Sequence, residues 1–379
     1  MNQAKEFILG ESEKIYEEIL PISKYIHANP ELGYNEFKAQ KALTEFLENK
    51  GFNVQKGLYG LDTSFKAEYD TGKPGPNVAF MAEFDALPEI GHACGHNIIG
   101  TNSVASGIVL KTAMEKFNLG GKVTVLGTPA EENGSGKIQM IREGAFKGVD
   151  YAILMHPTNE SIPDDISFAA ANIEYTFHGK SAHSAAFPHL GFSALNGVIQ
   201  MFNSVNAMRL HMKDHSRIHG IITEGGVAPN TIPDKATCVF NIRSLEYDYL
   251  LKMIETIDKC ADGAAMSTGV KVEKKQLGEI IKDIRNDKLI VDLVRENMKF
   301  VGEKFVERIL DQGIGSTDVG NVTHEIPAIQ YYVKLGDDIG THTVEFEKAA
   351  GDTRGERCLK QSIKITSLTG YDLIDRGDK

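Results

Sequence analysis

The sequence contains no stretch of about 20 apolar residues, the length a membrane-spanning helix needs, so no span is expected. It also lacks any run of lysines and arginines. With 41 Lys+Arg against 52 Asp+Glu its formal net charge is −11, which argues against a dedicated nucleic-acid binder, whose affinity rests on basic side chains meeting phosphates. The opening segment, MNQAKEFILGESEKIYEEIL, alternates charges where a signal peptide would hold a continuous apolar segment, so the cytoplasm is the expected compartment. Cysteine is scarce: Cys94, Cys238, Cys260 and Cys358 form no CxxC pair and do not make a disulfide framework for so long a chain. Internal repeats and low-complexity segments are missing too. No GxxxxGK[ST] or GxGxxG pattern opens a helix after a strand, and no GxSxG elbow occurs, which removes the usual signatures of phosphate-binding loops and of one large class of serine hydrolases. What remains is an ordinary globular composition, 41% hydrophobic and 25% charged, spread over 379 residues. That length exceeds what one core usually fills, so two domains are expected.

To about Lys50 the apolar residues follow helical spacing (Ile15, Ile19, then Ala39, Ala42, Leu43, Phe46, Leu47), interrupted by ANPELGYNE with its Pro30 and Gly33. Two helices are predicted there. From Asn77 continuous apolar runs appear: NVAFMAEFD, Lys122 to Leu126 and Tyr151 to Met155, with helical segments at about Ile98 to Phe117 and Lys137 to Glu143. Short buried runs alternating with helices predict parallel strands in βαβ units. Their polar ends carry Glu83 and Asp85, Glu131 and Glu132, and His156, at the sheet edge where such folds place their sites. Between Ile166 and Ile284 the order becomes strand, helix, two strands, helix, strand, the split-βαβ or ferredoxin-like pattern. A second domain over 169–284 is therefore expected as an insertion into a first over 1–168 and 285–379. Beyond it, Asp287 to Val301 reads as a helix, GSTDVGNVTHEIP as a loop, IQYYVKL as a strand, and the residues from Glu345 as one helix.

The segment MAEFDALPEIGHACGHNIIG packs acids, histidines and Cys94 into a strand end and a short loop. Thiolate, imidazole and carboxylate are all metal ligands, and Cys94 and His96, two residues apart, can face one ion from a turn. The plainer alternative is a glycine-rich connection with a buried cysteine. In GTPAEENGSGK, Glu131 and Glu132 follow an apolar strand directly. Two adjacent carboxylates in one site call for a cation between them, one ligating while its neighbour takes a proton from water. An acidic helix N-terminus would account for them equally well. His156 in ILMHP favours the metal reading. HGKSAHSAAFPHLGFSALNG adds His183, a possible donor to a developing oxyanion or an ordinary loop residue. Asn230 in GGVAPNTIP and Arg243 in FNIRS are further candidates, arginine suiting a substrate carboxylate or a strand-end salt bridge. Ser316 lies in GIGSTDVG, and THTVEF contributes His342.

With these residues in view the sequence resembles the metallopeptidase and amidohydrolase family that includes hippurate hydrolase, auxin-conjugate hydrolases, aminobenzoyl-glutamate hydrolase and carboxypeptidase G. HANPELGYNE, GHACGHN, PAEE, MHP, AHSAAFPHLG, GGVAPNTIP, GSTDVGN and HTVEFEKAAG occur in the family's order, over nearly the whole chain. GHACGHN followed by IIGT, with GTPAEE, most resembles the aminobenzoyl-glutamate hydrolase and Xaa-basic dipeptidase branch. Asn97 and Ile99 stand where many other relatives carry Asp and His, so substrates do not transfer from hippurate or auxin-conjugate hydrolases. The resemblance implies a zinc-peptidase-like α/β fold, a mostly parallel sheet flanked by helices, with an inserted ferredoxin-like lid and dimerisation domain. It further implies two divalent metal ions, zinc or manganese, held by Cys94, His96, Glu132, His156 and His342. Glu131 would be the general base, Asp85 the aspartate behind the metals, and His183 the histidine reaching the scissile carbonyl. Asn230, Arg243 and Ser316 would line the substrate site. The expected reaction is hydrolysis of a small N-acyl amino acid, dipeptide or aminobenzoyl-glutamate-like amide, by a homodimer. Two rivals stand beside it: a non-catalytic binding protein on the same fold, and a metal-independent hydrolase using Cys94.

Overall fold

Two helices, α1 (Gln3–Ala28) and α2 (Phe37–Asn49), open the chain on either side of the ANPELGYNE turn. Helical spacing dictates the first of them: Ile8, Ile15, Ile19 and Ile26 share its buried face. Then follow β1 (Asn53–Lys56), β2 (Phe65–Asp70), β3 (Asn77–Ala82), α3 (His96–Phe117), β4 (Lys122–Gly127), the short α4 (Glu131–Gly134), α5 (Gly136–Arg142) and β5 (Tyr151–Thr158). Next come β6 (Ala169–His178), α6 (Ala194–Met208), β7 (Arg217–Glu224), β8 (Lys235–Ser244), α7 (Tyr247–Thr268) and β9 (Lys271–Ile281). The chain closes with α8 (Lys288–Phe300), α9 (Val319–Thr323), β10 (Ala328–Lys334), α10 (Val344–Gly351) and α11 (Thr353–Gly377). This computed structural model describes residues 3–310 and 313–377. They divide into two compact units. One reaches to Ile166 and resumes over Ile284–Leu310 and from Asp318; the other holds Ser167–Asp283 and a short segment ending at Thr317.

The first unit is built on a six-stranded sheet in the order β1-β2-β4-β3-β5-β10. The four strands β4, β3, β5 and β10 run parallel, whereas β2 pairs antiparallel with β4 and with β1. The fold is thus a mainly parallel α/β sheet flanked by helices, and the three apolar runs form adjacent parallel strands, as expected. β3 shows why its sequence is continuously apolar. Val78, Phe80 and Ala82 enter the core shared with α1, α3 and α11, while Ala79 and Met81 enter a second core with Leu126, Leu154 and Val322, so both faces are covered. Helix α3 is apolar or small nearly all round because it lies among the sheet, α1 and α11; a Cβ on Gly107 would fall 2.6 Å from Val125 Cγ2.

In the second unit a four-stranded antiparallel sheet, ordered β7-β8-β6-β9, carries α6 and α7, and its core joins Tyr175, Phe177, Met201, Phe240 and Ile257. Its chain order is the split-βαβ pattern read from the sequence.

Two expectations about elements need correcting, and one pair of strands was not read at all. The antiparallel pair β1 and β2 was not anticipated, because Asn53–Lys56 is exposed and its polar residues carry no strand pattern. GSTDVGNVTHEIP is not all loop: α9 forms where Val319 and Val322 reach the core. The C-terminal helix is two helices, broken where Asp352 turns to an extended backbone.

Candidate metal centre and active site

The strand ends of the first unit assemble the site. Just past β3 lie Glu83 and Asp85; past β4 comes Ala130, with a left-handed φ of 56°, and then Glu131 and Glu132 on the first turn of α4; His156 sits on β5. Gly95, with φ 76°, turns the chain sharply into α3, so that Cys94 immediately precedes the turn and His96 is the helix's first residue. A Cβ on Gly95 would lie 2.5 Å from Pro157 Cγ, which makes glycine a requirement there. His342 also has a left-handed backbone, φ 63°, and its N–H donates to Ala93 O at 2.9 Å, tying the last candidate ligand to the Cys94 loop. Thr343 then caps α10 by accepting the Phe346 N–H.

Asp85 is the organiser behind the cluster. Its Oδ1 accepts from His96 Nδ1 at 3.0 Å and its Oδ2 accepts the backbone N–H of Glu132 at 3.0 Å. This leaves His96 Nε2 facing Glu83 Oε2 at 3.6 Å and Glu132 Oε1 at 3.7 Å, beyond hydrogen-bonding distance. His342 Nε2 lies 3.5 Å from the same Glu132 oxygen. Across the site Cys94 Sγ is 3.4 Å from His156 Nε2, and His156 Nδ1–H donates to Pro157 O at 2.8 Å, which fixes the tautomer with a lone pair on Nε2. Three overlapping groups, Cys94/His96/His156, Cys94/Glu132/His342 and His96/Glu131/Glu132, each bring their donor atoms within 4.8 Å of one another.

Burial works against the ionised Asp85, yet the charge and hydrogen bond of His96 outweigh it and hold the carboxyl below its usual range. Glu132 is likewise opposed by burial, but the His342 imidazole 3.5 Å away and the charge of His96 depress it to about 2. Glu131 goes the other way. Loss of water around it, then the charges of Glu83, Asp318 and Glu132, push it well above the ordinary carboxylate range. The Cys94 thiol is raised by burial and by Glu132. His156 is pushed down to about 4 by burial.

A cation fits these residues on one observation: His96 Nε2, Glu83 Oε2 and Glu132 Oε1 are buried without a hydrogen-bond partner. Buried polar atoms are satisfied almost everywhere in proteins, so such a cluster of sulfur, nitrogen and carboxylate donors is a candidate place for an ion. A further acidic group, Glu83/Glu131/Asp318, holds a cation of the protein's own. Lys137 Nζ lies 2.6 Å from Glu83 Oε1 and 2.7 Å from Asp318 Oδ1, and the Lys137 backbone N–H donates to Asp318 Oδ2 at 2.9 Å.

His183, Asn230, Arg243 and Ser316 all belong to the second unit. His183 Nδ1 accepts the N–H groups of Ala185 and Ala186 at 3.3 and 3.2 Å, so its neutral form carries the proton on Nε2. The Ser184 N–H donates to Asn230 O at 3.1 Å, bringing the two loops together. Arg243 Nε donates to Asn241 Oδ1 at 2.9 Å and its Nη1 lies 3.5 Å from Ser316 Oγ.

Sequence reasoning carried Glu83 only as a strand-end acid and missed Lys137 and Glu36. A fully buried lysine has no linear signature, since its partners come from distant segments. Glu36 stood in view within ANPELGYNE, where only the turn was read.

Residues 65–366 match peptidase family M20/M25/M40. The chain belongs to this family. As an M20 member it is a metal-dependent hydrolase of peptide or amide bonds, with divalent metal, zinc or manganese, as its cofactor. It is 35% identical over 366 residues to a mouse Xaa-Arg dipeptidase, covering 93% of this chain and 85% of the relative. It is 33% identical over 292 residues to a p-aminobenzoyl-glutamate hydrolase polypeptide of Escherichia coli, covering 72% of this chain and 60% of the relative. Among solved structures, a dinuclear metal binding M20 peptidase of Bacillus subtilis superposes with a TM-score of 0.77 at 18% identity, covering 96% of this chain and 99% of that one.

Proposed function

We propose that this M20 hydrolase cleaves the amide bond of a dipeptide, a small N-acyl amino acid or an aminobenzoyl-glutamate-like compound, at a two-metal centre held by Cys94, His96, Glu132, His156 and His342. The carrying observation is the buried, unpartnered set His96 Nε2, Glu83 Oε2 and Glu132 Oε1 amid those five donors. When bound, the metals supply Lewis acidity and lower the pKa of water at the site. The chain's own groups do the rest. Glu131, beside the ligand Glu132, takes a proton from water and returns it to the leaving nitrogen. Asp85 holds His96 by Nδ1 and turns Nε2 inward. By their place in the family's motifs, His183, whose Nε2 carries the donor proton, is assigned to the oxyanion, and Arg243, Asn230 and Ser316 to binding the substrate. The similarity to Xaa-Arg dipeptidase and aminobenzoyl-glutamate hydrolase supports this substrate range.

Among the described residues no helix is long and apolar enough to cross a membrane. A cytoplasmic homodimer formed through the second unit accompanies the reading. β7 is an edge strand of its sheet with Ile221 and Ile222 exposed, a surface suited to pairing with its copy.

The test is a release assay over N-acyl amino acids, dipeptides with basic and neutral ends, and aminobenzoyl-glutamate, with zinc, manganese and cobalt. Activity abolished by chelation and restored by metal is expected. Turnover that resists chelators but stops on thiol alkylation would instead establish the Cys94 hydrolase, and no turnover with metal bound would favour the binding protein.

A further inference from the structure

The segment ANPELGYNE, between α1 and α2, contacts the turn that carries the two catalytic-site glutamates and the segment that carries Asp85. Glu31 O accepts the Ala86 N–H at 2.8 Å, one residue beyond Asp85. Gly33 packs so closely on Ala130 that an added Cβ would lie 3.0 Å from both Ala130 Cα and Cβ. Tyr34 OH donates to Gly134 O at 2.9 Å, at the far end of α4. Glu36 lies between them with no exposed surface. Its Oε1 accepts the Ala130 N–H at 2.8 Å and its Oε2 accepts the Thr63 hydroxyl at 2.7 Å.

Ala130 is the residue on which the direction of Glu131 and Glu132 depends. A left-handed alanine is strained and persists only where its surroundings impose it. Its N–H would otherwise be buried without a partner, and a carboxylate is the strongest acceptor a side chain can offer it. We infer that Glu36 is a positioning residue for the Glu131 and Glu132 pair: its buried carboxylate, steadied by Thr63, holds the left-handed turn at Ala130 that aims both side chains into the metal centre. Glu36 itself touches neither metal nor substrate; it acts through one backbone N–H.

This inference rests on the assignment of Glu131 as base and Glu132 as ligand, and the experiment separates the two. Glu36→Ala, Glu36→Gln, Thr63→Val and Glu131→Gln are prepared in the full chain. Each is loaded with manganese for kinetics and with cobalt for its visible spectrum, and each is melted without metal. In Glu36→Ala, kcat is expected to fall about 10- to 100-fold, the loss typical of removing a partner behind a metal ligand, with KM little changed and the cobalt spectrum shifted as Glu132 moves. Glu36→Gln is expected to restore both, because its amide oxygen accepts the Ala130 N–H while its NH2 donates to Thr63. Wild-type kcat and cobalt spectrum in Glu36→Ala would overturn the inference. So would failure of Glu36→Gln to restore either readout while melting as the wild type does. If Glu36→Ala does not fold, Thr63→Val decides: a lowered kcat with a shifted cobalt spectrum supports the inference, and wild-type values of both overturn it. Full activity in Glu131→Gln overturns the base assignment on its own and leaves the Glu36 measurements to be judged separately.

Discussion

Asp85 shows how one side chain can set the chemistry of several others. By accepting from His96 Nδ1 and from the Glu132 N–H it spends both oxygens on orientation, and neither is left to bind an ion. The candidate ligands and the base therefore respond differently to substitution. Glu131→Gln removes the proposed proton acceptor and keeps the shape, so kcat is expected to drop about 100- to 10,000-fold while bound metal, measured by mass spectrometry, stays at the wild-type level. Cys94→Ala removes a donor that belongs to two of the three overlapping groups, and metal affinity by chelator competition is expected to fall more than about 100-fold, beyond the cost of losing an outer partner. His156 gives a pH-dependent counterpart in metal-free protein. Its ordinary value is 6.5 and burial lowers it to about 4 in the folded chain. Between those values the unfolded chain takes up a proton that the folded one refuses, so this residue's contribution to stability is intact above 6.5 and is lost as the pH falls toward 4. Chelator-treated wild type is expected to lose stability relative to His156→Gln as the pH is lowered through that window. Parallel melting curves for the two proteins would contradict it.

At the scale of elements, the site depends on where strands end and how sharply the chain leaves them. The αL turn at Gly95 joins Cys94 to His96 in the space left by Pro157, and Gly95→Ala is expected to cost about 1–3 kcal/mol from the backbone conformation alone, with more from the clash. Calorimetry would measure the loss, and metal content should fall with it because His96 starts the displaced helix. The strands β3, β4 and β5 were legible because burial on both faces demands unbroken apolar runs, and α3 because its length and composition suit an enclosed helix. β1 and α9 were not. Each is held by tertiary partners, β1 by its pairing with β2 and α9 by the burial of Val319 and Val322, and neither has the length to express a period.

At the scale of the molecule, the second unit's sheet ends at β7 in exposed apolar residues, with Ile221 65% exposed. Ile221→Lys puts a charge on that edge and is expected to convert the proposed dimer into a monomer in sedimentation analysis while leaving the secondary structure unchanged; an unaltered sedimentation coefficient would overturn the proposal that β7 forms the interface. What the sequence by itself determined is the chemistry and its local setting: the paired glutamates after a strand, Cys94 and His96 two apart on a turn, the histidine on an apolar strand, and the alternation that makes a parallel sheet. These are short-range facts, carried by residue type and spacing. Only the tertiary structure decided which distant groups meet. Lys137 and Asp318 are 181 positions apart yet bonded out of water, and Glu36 reaches Ala130 across 94 positions to hold the turn. Such pairs leave no mark on spacing, because each becomes necessary only when folding excludes water and every buried charge or N–H must find a partner.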